Sequence, residues 1–94
     1  MTDAPPLFLY MKPGCHLCEE ARAMLDAILR ARAAAGQPVP SVEERDITTN
    51  DAWQRAWFDR IPVVELGGRI EPEVVSAARL RRLLADVLGP AAGG

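Results

Sequence analysis

The chain is short of several residue types. Only two of its 94 residues are cysteine, one is lysine and one is histidine, and aromatic residues make up 5%. Two cysteines are too few for the disulfide framework of a small secreted domain. In a reducing compartment a close pair is more often catalytic or metal-binding than a permanent staple. A basic surplus is also lacking. Eleven Lys and Arg stand against thirteen Asp and Glu, a net charge of −2. Nucleic acids and anionic membranes recruit proteins through excess Lys and Arg, so neither partner is expected. Long apolar runs are missing as well: Leu7 to Met11 falls far short of the roughly 20 residues that span a bilayer. Residues 1–6 have no basic n-region and lead into no signal-like apolar stretch, which predicts a protein that stays in the cytoplasm.

What is present fits one small domain over 1–94, with a core from about 7 to 88, a flexible leader 1–6 and a flexible tail 89–94. Nearly half the residues are apolar, but fifteen of these are alanine, so the core rests on a limited set of Leu, Ile, Val and aromatic side chains. Leu7 to Met11, bounded by Pro5-Pro6 and Pro13-Gly14, reads as a buried strand. From His16 to Ala35, Leu17, Ala21, Met24, Leu25, Ile28 and Leu29 recur at helical spacing, with Asp26 and Arg30 placed to pair one turn apart and Gly36 as the stop.

Ser41 to Ile47, extended but charged, reads as an edge strand. Thr48-Thr49-Asn50 offers helix caps, and Trp53, Ala56 and Trp57 share one face of a short helix closing before Pro62. Pro62 to Leu66 and Arg69 to Glu71 flank Gly67-Gly68, a turn suited to an antiparallel hairpin, and Pro72 marks the last strand as an edge. Ser76 caps a final helix, Ala77 to Leu88, with a stripe of Leu80, Leu83, Leu84, Val87 and Leu88. Arg79, Arg81 and Arg82 read as its solvated face, with Arg82 pairing to Asp86. The element order β-α-β-α-β-β-α predicts an α/β fold, a mixed four-stranded sheet with a right-handed parallel crossover and helices on both faces.

The chemistry concentrates in Cys15-His16-Leu17-Cys18. One helical turn brings the second thiol back beneath the first, within disulfide reach. A thiol at the helix start has its thiolate stabilised by free backbone N–H groups and the positive end of the helix dipole, whereas Cys18 lies a turn deeper. Cys15 is therefore the expected nucleophile and Cys18 the resolving thiol. Lys12, three residues before Cys15, is placed to favour the thiolate or to meet a substrate carboxylate, while His16, with Glu19 and Glu20 opposing it, reads as solvent-facing with a secondary role at most. Zinc would need four ligands where the chain has three Cys and His in all, and Glu19 stands where haem attachment requires histidine. An iron–sulfur cluster would need ligands from elsewhere. No metal site is expected.

Lys12-Pro13-Gly14-Cys15-His16-Leu17-Cys18 after a strand, followed much later by Ile61-Pro62-Val63-Val64, resembles the thioredoxin fold and, within it, the compact glutaredoxin-like proteins. The resemblance covers about residues 7 to 88. It implies the three-layer arrangement of that fold, a cis Pro62 facing the cysteines, and an Ile61 backbone that pairs with an extended substrate. Asp46-Ile47 at the end of the second strand is also similar to this group, although a loop cap explains Asp46 equally well. The chain departs from the glutathione-dependent members. Arg60-Ile61 stands where they have Thr-Val, Gly67-Gly68 falls in the hairpin turn, and Val74-Val75-Ser76 replaces their glutathione loop. Phe58 occupies a place that a helix-terminating glycine would fill more easily.

Together these readings predict a thiol–disulfide oxidoreductase that reduces protein or small-molecule disulfides. It would hold no bound cofactor and would take electrons from glutathione or from a thioredoxin-reductase-type flavoenzyme. A monomer is expected. The alternatives are a metal or iron–sulfur carrier and a non-catalytic interaction module of the same fold.

Overall fold

The computed structural model describes residues 4–74 and 76–89; the expectations for Val75, for the leader before Ala4 and for the tail after Gly89 lie outside them. The elements follow the order read from the sequence: β1 (Leu7–Met11), α1 (His16–Ala34), β2 (Val42–Asp46), α2 (Asp51–Trp57), β3 (Val63–Leu66), β4 (Arg69–Glu71) and α3 (Ala77–Leu88). A single 3₁₀ turn, Ile47–Thr49, joins β2 to α2.

Local chemistry sets most boundaries. The Asn50 side chain accepts the Trp53 N–H at 3.1 Å and starts α2, and the Ser76 hydroxyl accepts the Arg79 N–H at 3.3 Å and starts α3. Asp46 accepts the N–H of Thr48 at 2.9 Å and so caps the 3₁₀ turn. Gly67 and Gly68 both have positive φ, +57° and +83°, as a tight β3–β4 turn demands.

The sheet order is β2-β1-β3-β4, with β1 parallel to β2 and the other pairs antiparallel. Both β2 and β4 are edges. Strand alternation sends Leu7 and Leu9 to one face, where α1 and α3 bury them with Leu25, Leu29, Val64, Leu66, Leu80, Leu83 and Leu84. Tyr10 and Val63 point to the other face, where they bury with Ile47 against Phe8, Trp53, Trp57 and Ile61. The result is a three-layer α/β/α arrangement with the sheet in the middle.

Several side chains differ from the sequence reading. Leu17 is 50% exposed: it precedes the buried Cys18 by one residue, about 100° around the helix, and so leaves the core face. Ala56 is exposed and α2 buries no residue fully. Asp26 pairs with Arg22 at 3.0 Å instead of with Arg30, because helical side chains lean toward the N-terminus and Arg22 is one turn in that direction. Asp86 binds Arg69 of the hairpin at 3.0 Å in place of Arg82. Arg79 is not merely solvated. It donates to the carbonyls of Pro72 and Glu73 and to the Glu71 carboxylate, fastening the loop between β4 and α3. β2 is shorter than expected by one residue at each end, and Pro62 precedes β3 instead of opening it.

Candidate functional site

The parallel β1–β2 pair and the antiparallel β1–β3 pair bring three chain segments to one end of the sheet. β1 ends at Met11 and runs through Lys12–Gly14 into α1. β3 runs the opposite way, with Tyr10 opposite Val63, so Pro62 lies beside the end of β1. The loop after β4 closes the same region, since Glu73 N–H donates to the Arg60 carbonyl and Val74 N–H to the Pro62 carbonyl, both at 2.9 Å.

Cys15 is the N-cap of α1, with extended backbone, and its Sγ accepts the Cys18 N–H at 3.2 Å. The two cysteines are joined as a disulfide across a Cα–Cα distance of 5.2 Å. Their environments differ. Cys15 is half-buried, whereas Cys18 is 3% exposed. A nineteen-residue helix begins at this point, so its unpaired N–H groups and dipole act on the Cys15 sulfur. Gly14, at φ +79°, is the residue that turns the chain into that cap.

The Lys12 carbonyl accepts the Cys15 N–H at 3.3 Å, and its exposed side chain borders a cleft of about 230 Å³ with Met11, Cys18, Arg22 and the acidic Glu19 and Glu44. His16 is solvent-facing and lies 3.4 Å from the Glu20 carboxylate. The Ile61–Pro62 peptide is cis, and Pro62 is fully buried. Ile61 is half-buried, and its N–H donates to the Trp57 carbonyl at 3.2 Å. Among the described residues no protein donor reaches the Ile61 carbonyl. Phe58, at the C-cap of α2, is 57% exposed, so core packing does not account for it.

The sequence reading missed a polar chain beneath α2. Arg45 stacks 3.7 Å from the centre of the Phe8 ring and donates to the Tyr10 hydroxyl at 2.9 Å; Tyr10 in turn donates to Glu65 at 2.7 Å. Burial pushes the Tyr10 phenol above its ordinary value and the Glu65 carboxylate pushes the same way, while Arg45 pulls it down. Phe8, Tyr10 and Arg45 were visible only as strand residues, and nothing in their spacing pairs them.

Among the described residues no three His, Cys, Asp or Glu side chains converge on one point. Nor is any described helix long and apolar enough to cross a membrane.

A family model described as Glutaredoxin-like domain (DUF836) matches residues 6–87. Similar solved structures include a crystal structure of the X. campestris protein XcR50, 32% identical, with a TM-score of 0.65, covering 85% of this chain and 96% of that one. A solution NMR structure of Ne2328 from Nitrosomonas europaea is 25% identical, with a TM-score of 0.63, covering 95% of this chain and 92% of that one. No curated protein matches.

Proposed function

The chain belongs to the glutaredoxin-like domain family, and from its thiol redox site we propose a thiol–disulfide oxidoreductase acting on protein or small-molecule disulfides. One observation carries the reading: Cys15, accessible and seated at the N-cap of α1, is bonded to a buried Cys18. In the reduced protein the helix N-terminus favours the Cys15 thiolate, which attacks one sulfur of a substrate disulfide and releases the other as a thiol. Cys18 then attacks the Cys15 sulfur and releases the second substrate thiol. Two electrons and two protons pass to the substrate, and the Cys15–Cys18 disulfide remains.

Lys12, at the rim of the adjoining cleft, is suited to a substrate carboxylate. The Ile61 carbonyl is the backbone group left to accept a hydrogen bond from an extended substrate, and Pro62 walls that side of the site. The couple is restored by two thiols of glutathione, which become its disulfide, or by a flavoenzyme reductase. Such a cycle suits a cytoplasmic monomer.

The test is turnover of a model disulfide by two variants. Cys15→Ser abolishes reduction, and Cys18→Ser accumulates a mixed disulfide between Cys15 and the substrate. Unchanged turnover by Cys15→Ser would reassign the protein as a binding module.

A further inference from the structure

A second and larger hollow lies away from the cysteines. It is a groove of about 670 Å³ between α1 and α3, walled by Met24, Ala27, Ile28 and Ala31 on one side and Ala77 and Ala85 on the other. It begins about 9 Å along α1 from Cys18. α1 and α3 share a core through Leu25, Ile28, Leu29, Leu80, Leu83 and Leu84, but beside it the facing residues are mostly alanine, and the trough is the space these short side chains do not fill.

Among the described residues its polar lining carries positive charge alone. Arg32, Gln37 and Arg81 border it, and no described acidic residue does. Arg32 is 7% exposed, an unusual position for a charge. Its Nε donates to the Pro38 carbonyl at 2.8 Å and one Nη to the Gly89 carbonyl at 2.9 Å, which ties the ends of α1 and α3 together. Neither Arg32 nor Arg81 has a carboxylate partner among the described residues. The second Nη of Arg32 has no acceptor there either, yet it is not sealed off from solvent. A guanidinium held by neutral carbonyls in an apolar wall has its geometry fixed and its charge uncompensated, and a carboxylate matches it in both respects.

We propose that the groove between α1 and α3 binds an aliphatic carboxylate, with its head on Arg32 and its tail along the alanines toward Met24. The path from Arg32 to Met24 is about 12 Å, which suits a medium-length unbranched chain. Arg81 at the rim adds attraction for the head.

The test is a titration of the isotope-labelled full chain with decanoate, following backbone amide shifts. Saturable shifts centred on Ala27, Ala31, Ala77 and Ala85 are expected, and a decyl trimethylammonium salt with the same tail fails to reproduce them. Arg32→Gln weakens binding by about tenfold or more, as expected for loss of a charge-assisted pair. Because Arg32 also ties two helices, Ala31→Glu serves as a second variant: an exposed helical position that tolerates glutamate and sets a like charge beside the ligand head. Retained binding in Ala31→Glu, equal binding of the cation, or no saturable shift at millimolar decanoate would overturn the proposal. Shifts at these amides that depend on protein concentration alone would assign the groove to a second copy of the chain instead.

Discussion

The Cys15 sulfur accepts the backbone N–H of Cys18 at 3.2 Å, so the residue that caps α1 is also the accessible half of the disulfide. One hydrogen bond thus ties helix initiation to thiol chemistry, and it makes the two sulfurs unequal. In the reduced protein, limiting iodoacetamide at neutral pH is expected to alkylate Cys15 well before Cys18, as read by peptide mass. Equal labelling would contradict the asymmetry on which the direction of exchange depends.

The corrected core face of α1 predicts opposite outcomes for two leucines. Leu25 is fully buried and Leu17 is half exposed. Leu25→Ala should cost about 2–5 kcal/mol in urea unfolding of the oxidised protein. Leu17→Ala should cost less than about 0.5 kcal/mol. A large loss from Leu17→Ala would restore the face read from periodicity alone.

Gly67 is held by conformation and by contact together. Its φ is +57°, and a Cβ there would stand 2.6 Å from the Val87 Cγ1 of α3. Gly67→Ala is expected to destabilise the fold by about 1–2 kcal/mol, measured by chemical denaturation. Gly68, at φ +83° with open space around it, should respond to the backbone alone and lose less.

Tyr10 gives a pH dependence with a definite sign. Its phenol is raised above 10.0 in the fold by burial first and by the Glu65 hydrogen bond next. The folded state therefore keeps a proton that the unfolded chain has begun to lose. The resulting stabilisation is full below about pH 10 and disappears as pH rises through the folded value. Alkaline unfolding of Tyr10→Phe should be flatter in that window than that of the parent, with lower stability at neutral pH, because Arg45 and Glu65 lose their shared partner.

What could be read from the sequence was local chemistry. Ser76, Asn50, Gly67-Gly68 and the Cys15–Cys18 spacing each act within four residues, so their caps, turn and disulfide reach follow from residue type. β1 was legible as a strand from its short apolar run, Leu7 to Met11, but its two faces were not, because both are apolar. Side-chain partners across elements were not legible. Asp86 meets Arg69 only because the hairpin packs beside α3, and Arg32 is buried only because the ends of α1 and α3 converge on it. Periodicity also overreached at Leu17 and Ala56, where an apolar residue at helical spacing lies outside the face that the neighbouring element covers.

The central claim is that Cys15 and Cys18 form a working redox couple, and its most direct test is the midpoint potential of the pair. It would be titrated in thiol/disulfide buffers on chelator-treated protein and read by mass after alkylation. A value between about −180 and −280 mV, spanning glutaredoxins and thioredoxins, is predicted and would indicate which reductant can drive the cycle. A value below about −300 mV, or no intramolecular disulfide at all, would contradict cycling and leave the cysteines a structural or metal-holding role.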